Sequence, residues 1–576
     1  MDNEIALFRA TTGLSQQLFA RVLGVSVSTL RRWEAGLATP SPLAITRIND
    51  IKKTDINLLL DEIKKEEIGD GEIKEQLLSL NVGGKKHKAV YMPYVFNGPS
   101  DQLSFHKKLI SLQEKTDLQV DAAKYMRRLS LIKSVEDVPT AQYEIEKPKA
   151  ASKCWSSDYG THGYHRYVGR FPSHLIRTLL NYFEAGKTDT ILDPFAGSGT
   201  TLVEARMLGV PAIGIEISPL SARISSVKCR YPEDGLDPIS IIKDLKTFYS
   251  YKWDEFCSEY SLSDCSHADI IGRAGNLIPA FSNYEKWLTR EALLGVSIVI
   301  EYISSKNGYL RDFLMVALSA KMRSIGNVDV DVVRAEYRKT PRENVDVLKT
   351  ISSQIQKMAL SGREMINTHH DIIGSSNSVK VIEGNALTAD ITPGSIAHII
   401  TSPPYGVESL SYLRTHLLSF RVLEPLINVD PYKFNAGVIG SEYLSDENIN
   451  VKDFNVNHCS PTYAAFFSKM LNNALSGKEE RRVLMMMKFF EDMHSLIVKF
   501  HTWMKSHGKV AFVIGNKKIG DALIPTDTII REIFEACGFT CEQSIAHKLK
   551  TNNSNSQVPW QERIIENEFV MIFERK

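Results

Sequence analysis

The sequence has no marked excess of charge, few cysteines and no long apolar run, and each shortage excludes a class of protein. The formal net charge is +1 over 576 residues, so any nucleic-acid contact must come from local basic patches. The seven cysteines are scattered and odd in number, which indicates reduced thiols in a cytoplasm. No Cys-x-x-Cys pair or Cys/His cluster predicts a metal site, and no segment predicts a signal peptide or a membrane span.

What is present is an ordinary globular composition in a long chain. The hydrophobic share is 43% and the charged share is 24%, both typical of globular proteins. A single hydrophobic core does not grow to 576 residues, so the length predicts two to four domains.

The most informative stretch is the glycine-rich turn Asp193–Thr201. It follows an apolar strand end, Thr190–Leu192, and precedes Leu202–Leu208, which has helical apolar spacing. A strand, a tight turn and a helix form the half-unit that binds nucleotide-like ligands at the carboxyl edge of a parallel sheet. Glycines let the backbone approach a ligand, and the helix start offers unpaired N–H groups. Alone, this turn does not specify the ligand.

The next predicted strand narrows the choice. Val210–Glu216 ends in an acid about twenty residues after the turn, where a carboxylate can accept both hydroxyls of a ribose. No Lys-Ser or Lys-Thr follows the last glycine of the turn, which argues against a phosphate-binding P-loop. A turn that opens with Asp193 suits a cationic ligand, and S-adenosylmethionine is cationic and carries a ribose.

A second motif lies about two hundred residues further on. Thr401 to Gly406 reads Thr-Ser-Pro-Pro-Tyr-Gly and follows the apolar run Ser395–Ile400, a predicted buried strand. Two prolines cannot continue a central strand, so the motif is expected just beyond the strand end. The Ser402 hydroxyl and the Pro403 carbonyl could hold the two N–H bonds of an exocyclic amine, with the ring stacked on Tyr405. By itself this motif is also compatible with a plain loop.

In this order, Asp-Pro-Phe-Ala-Gly-Ser-Gly-Thr-Thr and Thr-Ser-Pro-Pro-Tyr resemble the amino-methyltransferases of DNA. These enzymes move a methyl group from S-adenosylmethionine to N4 of cytosine or N6 of adenine. The resemblance implies four catalytic residues: Ser402, Pro403, Pro404 and Tyr405. Together with the patterns above, it predicts these cofactor-binding residues: Phe171, Pro172, Asp193, Pro194, Phe195, Gly197, Ser198, Gly199, Thr200, Glu216, Ile217, Asn385 and Thr401.

Two of these assignments have alternatives. Asn385 stands where the family usually has an aspartate, and an amide oxygen accepts the adenine amine more weakly. Phe171 and Pro172 precede the first strand, where similar enzymes close over the methionine end of the cofactor, but they could equally begin a helix.

Residues 1–50 predict a compact helical DNA-binding unit. A helix over Leu14–Leu23 with Ser15 as N-cap is followed by a turn and by a second helix over Val27–Glu34. This resembles the helix-turn-helix of Cro-like repressors, whose second helix enters the major groove. A small helical bundle for protein contacts is the alternative. The exposed candidates for DNA contact are Gln17, Ser28, Thr29, Arg31 and Arg32.

The remaining segments complete an α/β prediction. Residues 51–150 are expected to be a mostly helical connector, with an amphipathic helix or pair of helices over Asp55–Leu80 and a basic turn after it. Residues 151–230 and 376–576 predict a Rossmann-like methyltransferase domain: a seven-stranded sheet with an antiparallel final strand. Residues 231–375 predict a helical insertion, either a target-recognition lobe or a structural cover.

The predicted function is site-specific methylation of double-stranded DNA by S-adenosylmethionine, without a metal. Ser402 in place of aspartate favours cytosine N4. The alternatives are adenine N6, methylation of RNA or protein, and a transcriptional regulator whose methyltransferase domain is not catalytic. The expected setting is the cytoplasm at the nucleoid, with no membrane contact. A restriction endonuclease on a separate chain, repression of the gene's own promoter and a homodimer are further expectations.

Overall fold

The computed structural model describes the carboxyl-terminal three quarters of the chain, with gaps, and short stretches before it. The described residues are 160–576 without 168, 274–276, 279–280, 330–334, 339, 369–377, 407–411, 428–436, 442–453, 473–476, 520–521 and 549–566, and earlier 5–6, 8–9, 16, 19–20, 27–34, 39–40, 48, 76–82, 85–91, 134–135 and 138–139.

The amino-terminal unit contains the predicted second helix, α1, with the predicted bounds Val27–Glu34. Leu30 and Trp33 are buried and Arg31 and Arg32 are exposed, as the helical spacing predicted. Of the predicted first helix, residues 16, 19 and 20 are described and helical. Gln17 and the side chain of Ser28 lie outside the described residues.

The connector is not helical where it is described. Strand β1 (Gln76–Val82) pairs antiparallel with β2 (Lys85–Tyr91), and β3 (Ser134–Val135) pairs with β4 (Val138–Pro139). The predicted helix reaching Leu80 is therefore wrong over residues 76–80. Gly83-Gly84 is a two-residue hairpin signal, and it separates the paired residues Val82 and Lys85. The leucines before it fit period two as well as helical spacing, so the glycine pair was the deciding signal.

Seven strands form the main sheet, confirming the Rossmann-like prediction. They are β5 (Ile191–Asp193), β6 (Ala212–Glu216), β7 (Val379–Glu383), β8 (Ile396–Thr401), β9 (Met504–Gly515), β12 (Phe539–Lys548) and β13 (Asn567–Arg575). Their spatial order is β12-β13-β9-β8-β5-β6-β7. The final strand, β13, runs antiparallel to both neighbours, and the strands from β9 to β7 pair in parallel. A small hairpin, β10 (Lys517–Ile519) with β11 (Ala522–Ile524), follows β9.

The topology creates a switch point between β5 and β8. From β5 the chain proceeds outward through β6 and β7, and it returns to the other side of β5 as β8. In open α/β sheets, ligands bind outside the carboxyl ends of the strands at such a point. Both motifs found in the sequence follow these two strands.

Helices cover both faces of the sheet, because the central strands are buried on each side. Ala511 and Val513 of β9 join one core cluster, whereas Val510, Phe512 and Ile514 join the other. This alternation is the period of two expected of a strand between two layers. The first face is covered by α2 (Ser173–Tyr182), α3 (Thr200–Met207), α4 (Pro219–Cys229), α5 (Pro238–Glu259), α6 (His267–Arg273), α7 (Tyr284–Trp287), α8 (Arg290–Ser304), α9 (Gly308–Ile325), α10 (Val347–Thr368), α11 (Tyr412–Thr415) and α12 (Leu417–Ile427). The second is covered by α13 (Val456–Cys459), α14 (Pro461–Asn472), α15 (Gly477–Trp503) and α16 (Thr526–Ala536).

The insertion lies between β6 and β7, is helical as predicted, and shares the core of the first face. Helix α8 is apolar on all sides and buried along most of its length, as expected of an interior helix. It begins later than the predicted start at Trp287, because the Thr289 hydroxyl accepts the N–H of Ala292 (3.2 Å) and caps the helix there. At α8 the burial favours a structural cover over a DNA-facing lobe. No described helix is long and apolar enough to cross a membrane.

Candidate cofactor and base site

The glycine-rich turn and the diproline motif meet at one edge of the sheet. Asp193 ends β5 and Thr401 ends β8, and these strands are neighbours. The Thr401 hydroxyl donates to Asp193 Oδ1 (2.8 Å), and the Thr201 hydroxyl donates to Asp193 Oδ2 (2.7 Å). One carboxylate therefore joins two motifs that lie about two hundred residues apart in the sequence.

Asp193 supports the turn from beneath. Its side chain is buried, and Oδ1 also accepts the backbone N–H of Phe195 (3.1 Å). Burial raises the pKa of Asp193 to about 6, against the hydrogen bonds that favour the ionised form. These three donors tie Asp193 to the glycine-rich turn, to the start of α3 and to the end of β8.

The turn itself depends on its glycines. Gly197 and Gly199 have φ values of 51° and 78°, in the left-handed region that side chains disfavour. A Cβ on Gly199 would lie 2.4 Å from Ser225 Oγ, so this position is also crowded. Beneath the turn, the buried Lys228 Nζ donates to the carbonyl of Ser198 (2.7 Å). Lys228 was not predicted from the sequence, because it lies in a buried helix and belongs to no motif.

Glu216 ends β6 and lies against the same turn. Its Oε2 accepts the backbone N–H of Gly197 (2.8 Å), and its Oε1 accepts that of Ser218 (2.8 Å). Burial raises the pKa of Glu216 to about 7, and the nearby Asp193 adds to this, although the two N–H donors oppose it. The acid predicted to hold a ribose is thus placed beside the glycine-rich turn.

Ile217 and Asn385 both lie close to Gly437. Asn385 Oδ1 accepts the N–H of Leu387 (2.9 Å), and its Nδ2 donates to the carbonyl of Gly437 (3.0 Å). A Cβ on Gly437 would lie 3.3 Å from Ile217 Cδ1, so this glycine packs against both residues. The two residues predicted to border an adenine ring are therefore brought together beneath a later loop.

Tyr167, which the sequence analysis did not single out, lies over the turn. Its ring is 3.5 Å from the Cβ position of Gly197, and its hydroxyl shares a hydrogen bond with Ser221 Oγ (3.0 Å). The ring also stacks on buried His416, with 5.6 Å between centroids. Tyr167 lies in the segment from which only Phe171 and Pro172 were predicted to bind the cofactor.

Phe171 and Pro172 have structural contacts. The Pro172 carbonyl accepts the N–H groups of Leu175 (3.0 Å) and Ile176 (3.3 Å), so it begins α2. Phe171 is half-buried against the core of the first face. These contacts favour the helix start that the sequence analysis left open as an alternative to cofactor contact.

At the diproline motif, which we also call the corner, two hydrogen bonds connect Ser402 to strand β13. The Ser402 hydroxyl donates to the Tyr405 hydroxyl (3.3 Å), which donates to Glu568 Oε1 (2.5 Å). Burial raises the pKa of Glu568, although the bond from Tyr405 opposes this. Glu568 lies in β13, far from any motif, so no local signal could have revealed its contact with the corner.

The candidate DNA-contacting residues of α1 have their own neighbours. Arg31 Nε donates to Gln16 Oε1 (3.0 Å), which links the described parts of the two helices, and Arg32 is exposed. Thr29 is half-buried. Within the described part of the chain, no group of three or more His, Cys, Asp or Glu side chains could hold a metal ion.

Sequence comparisons agree with this geometry. The model of the DNA methylase family for N6 and N4 methyltransferases matches residues 49–226, which include the glycine-rich turn and Glu216. A helix-turn-helix model matches residues 5–51. These matches support an amino-methyltransferase of DNA with an amino-terminal helix-turn-helix. Both resemblances predicted from the motifs are thereby confirmed.

Characterised relatives share most of the methyltransferase's length. The chain is 26% identical to the Type II methyltransferase M.MvaI of Kocuria varians over 399 residues, which are 65% of this chain and 81% of that protein. It is 25% identical to the Type II methyltransferase M.BsoBI of Geobacillus stearothermophilus over 450 residues, 72% of this chain and 85% of that protein. A shorter match, 47% over 68 residues and 12% of each chain, is to the Type II methyltransferase M.MjaII of Methanocaldococcus jannaschii.

Proposed function

We propose that this methyltransferase transfers a methyl group from S-adenosylmethionine to N4 of cytosine in double-stranded DNA. The observation that carries the proposal is the hydrogen bond from Thr401 to Asp193, because it joins the diproline motif to the glycine-rich turn. A cofactor and a base can then meet without a domain movement. When bound, S-adenosylmethionine supplies an electrophilic methyl group on a sulfonium.

The residues at the turn fit this cofactor. The left-handed glycines keep the backbone of the turn free of side chains, and Glu216 offers a buried carboxylate to the ribose hydroxyls. Ile217 and Asn385 would border the adenine ring, and Gly197, Ser198, Gly199 and Thr200 would face the nucleoside from the turn. Pro194 and Phe195 would flank the same site.

The corner fits an exocyclic amine. A target base within a duplex hides this group, so the base must be flipped out, which costs a few kcal/mol. The Ser402 hydroxyl and the Pro403 carbonyl would accept the two N–H bonds, while Tyr405 packs against the ring. Such hydrogen bonds favour a pyramidal nitrogen, whose lone pair is then no longer delocalised into the ring. Most of the rate acceleration comes from this positioning.

Cytosine is preferred to adenine because serine occupies position 402, as in the N4-cytosine variant of the motif. The test is to incubate the purified protein with S-adenosylmethionine and genomic DNA, and then to identify the methylated nucleosides by mass spectrometry. N4-methylcytosine is the expected product. A signal on adenine alone would contradict the assignment to cytosine.

The biological setting that we propose is a Type II restriction–modification system. The relatives named above are Type II methyltransferases, and a restriction endonuclease would be a separate chain. The helix-turn-helix would bind an operator and repress the gene's own promoter, for which a homodimer would suit a two-fold symmetric site.

A second candidate is a transcriptional regulator with an inactive methyltransferase domain, which the helix-turn-helix favours. Transfer of a tritiated methyl group to DNA discriminates between the two. Operator binding without incorporation into any DNA would favour the regulator, whereas incorporation would favour the enzyme.

A further inference from the structure

A cationic cavity lies beside the glycine-rich turn, between residues 163–172 and two helices of the insertion. Its volume is about 510 Å³, and α9 and α10 form its far wall. Four basic side chains line it: Arg166, Arg170, Lys321 and Lys357. Of the described residues that line the cavity, none is acidic.

The charges in this cavity act on one another. Lys321 is half-buried, and its pKa is lowered by burial and by the positive charge of Lys357. Two ammonium groups that face the same space, with no acid among the described residues that line it, raise each other's energy. An anion bound between them would relieve this repulsion.

The cavity has an exposed rim and a buried floor. Arg166 and Lys357 are exposed, whereas Tyr167 and Gln354 are buried. Tyr167 also lies over Gly197, so the cavity and the glycine-rich turn share this side chain. An anion held here would lie next to the site where the base is methylated.

We propose that this cavity binds a backbone phosphate of the DNA substrate and that the insertion contributes Lys321 and Lys357 for this purpose. This inference rests on the proposed function. Lysine ammonium groups bind phosphate as point charges, and duplex DNA presents a dense row of phosphates to an exposed basic rim. The insertion, whose helices are mostly buried, would thus contact DNA through these two lysines of α9 and α10.

The test compares the full-length protein with the double variant K321Q/K357Q, using sheared genomic DNA as the probe. Losing the one phosphate held by the two lysines should reduce the slope of log Kd against log salt by about 1, and it should raise KM for DNA roughly tenfold at moderate salt. The turnover at saturating DNA and the Kd for S-adenosylmethionine should not change. K321R/K357R keeps both charges and should behave like the wild type, which separates charge from folding.

Lys349→Gln is the matched control. Lys349 is an exposed lysine of α10, the helix that also carries Lys357, and it is not among the residues that line the cavity. If K321Q/K357Q binds DNA with the salt dependence of K349Q, the proposal is wrong. It is equally wrong if the double variant loses affinity for the cofactor while DNA binding is unchanged, since the cavity would then serve the cofactor's carboxylate. Absence of methyl transfer by the wild type would instead contradict the proposed function.

Discussion

Glu568 holds the hydroxyl of Tyr405 from the last strand of the sheet, and so fixes the ring against which the target base is expected to pack. Removing the side chain in E568A should release this ring and lower kcat roughly tenfold to a hundredfold, because small misplacements at a reacting centre are costly. Glutamine can still accept the hydrogen bond, so E568Q should recover most of the rate. Single-turnover kinetics with saturating DNA measures both variants. An unchanged kcat in E568A would rule out this positioning role.

Glu216 gives cofactor binding a pH dependence of defined sign. Burial raises its pKa to about 7, so in the free protein the carboxylate is ionised at pH 8 and largely protonated at pH 6. Ribose hydroxyls need the ionised acceptor, and Kd for S-adenosylmethionine should therefore rise as pH falls through 7, approaching about tenfold per unit below it. Titration calorimetry between pH 6 and 8 measures this. E216Q should bind weakly at every pH, and a pH-dependent E216Q would assign the effect to another group.

At the scale of elements, a side chain at Gly199 of the glycine-rich turn would meet both backbone strain and crowding. Gly394, which lies outside the turn, has the strain without the crowding, so the two positions separate the effects. Gly199 has φ of 78° and a Cβ there would meet Ser225, whereas Gly394 has φ of 66° and a Cβ there would meet nothing within 4 Å. G394A should cost about 1 kcal/mol through strain alone. G199A should cost more, about 2–4 kcal/mol, and should also weaken cofactor binding. Urea unfolding and calorimetry report the two quantities, and equal stability losses would show that crowding at Ser225 is relieved.

The elements also show what the sequence could and could not predict. Strand–turn–helix and strand–diproline patterns are local, so the positions of Glu216 and Ser402 at strand ends could be predicted from spacing. Lys228, Tyr167 and Glu568 contact the site through tertiary packing, and nothing in their local sequence distinguishes them from ordinary core or strand residues. Residues 76–80 of β1 were assigned to a helix because Leu77 and Leu80 have helical spacing, although Leu78 and Leu80 also fit the alternation of a strand.

At the scale of the whole molecule, the helix-turn-helix and the catalytic domain are expected to read different DNA sites. Deleting residues 1–50 should leave methylation of cognate sites largely intact while abolishing binding to a separate operator. R31A/R32A in the full chain is the matched variant, because both side chains are exposed on α1 and the buried Leu30 and Trp33 are kept, although the bond from Arg31 to Gln16 is lost. Methylation assays and operator gel shifts measure the two activities. Loss of methylation in either protein would mean that this domain helps to choose the target.

The carboxylate of Asp193 has a consequence for the order in which ligands are bound. Thr201 and Thr401 both donate to it, so a ligand that orders the glycine-rich turn should also order the diproline motif. Cofactor and DNA should then strengthen each other's binding by the same factor, which follows from thermodynamic reciprocity. In Asp193→Asn, where one acceptor becomes a donor, the two equilibria should become independent. Isothermal titration of each ligand in the presence and absence of the other measures this coupling in the wild type and in D193N.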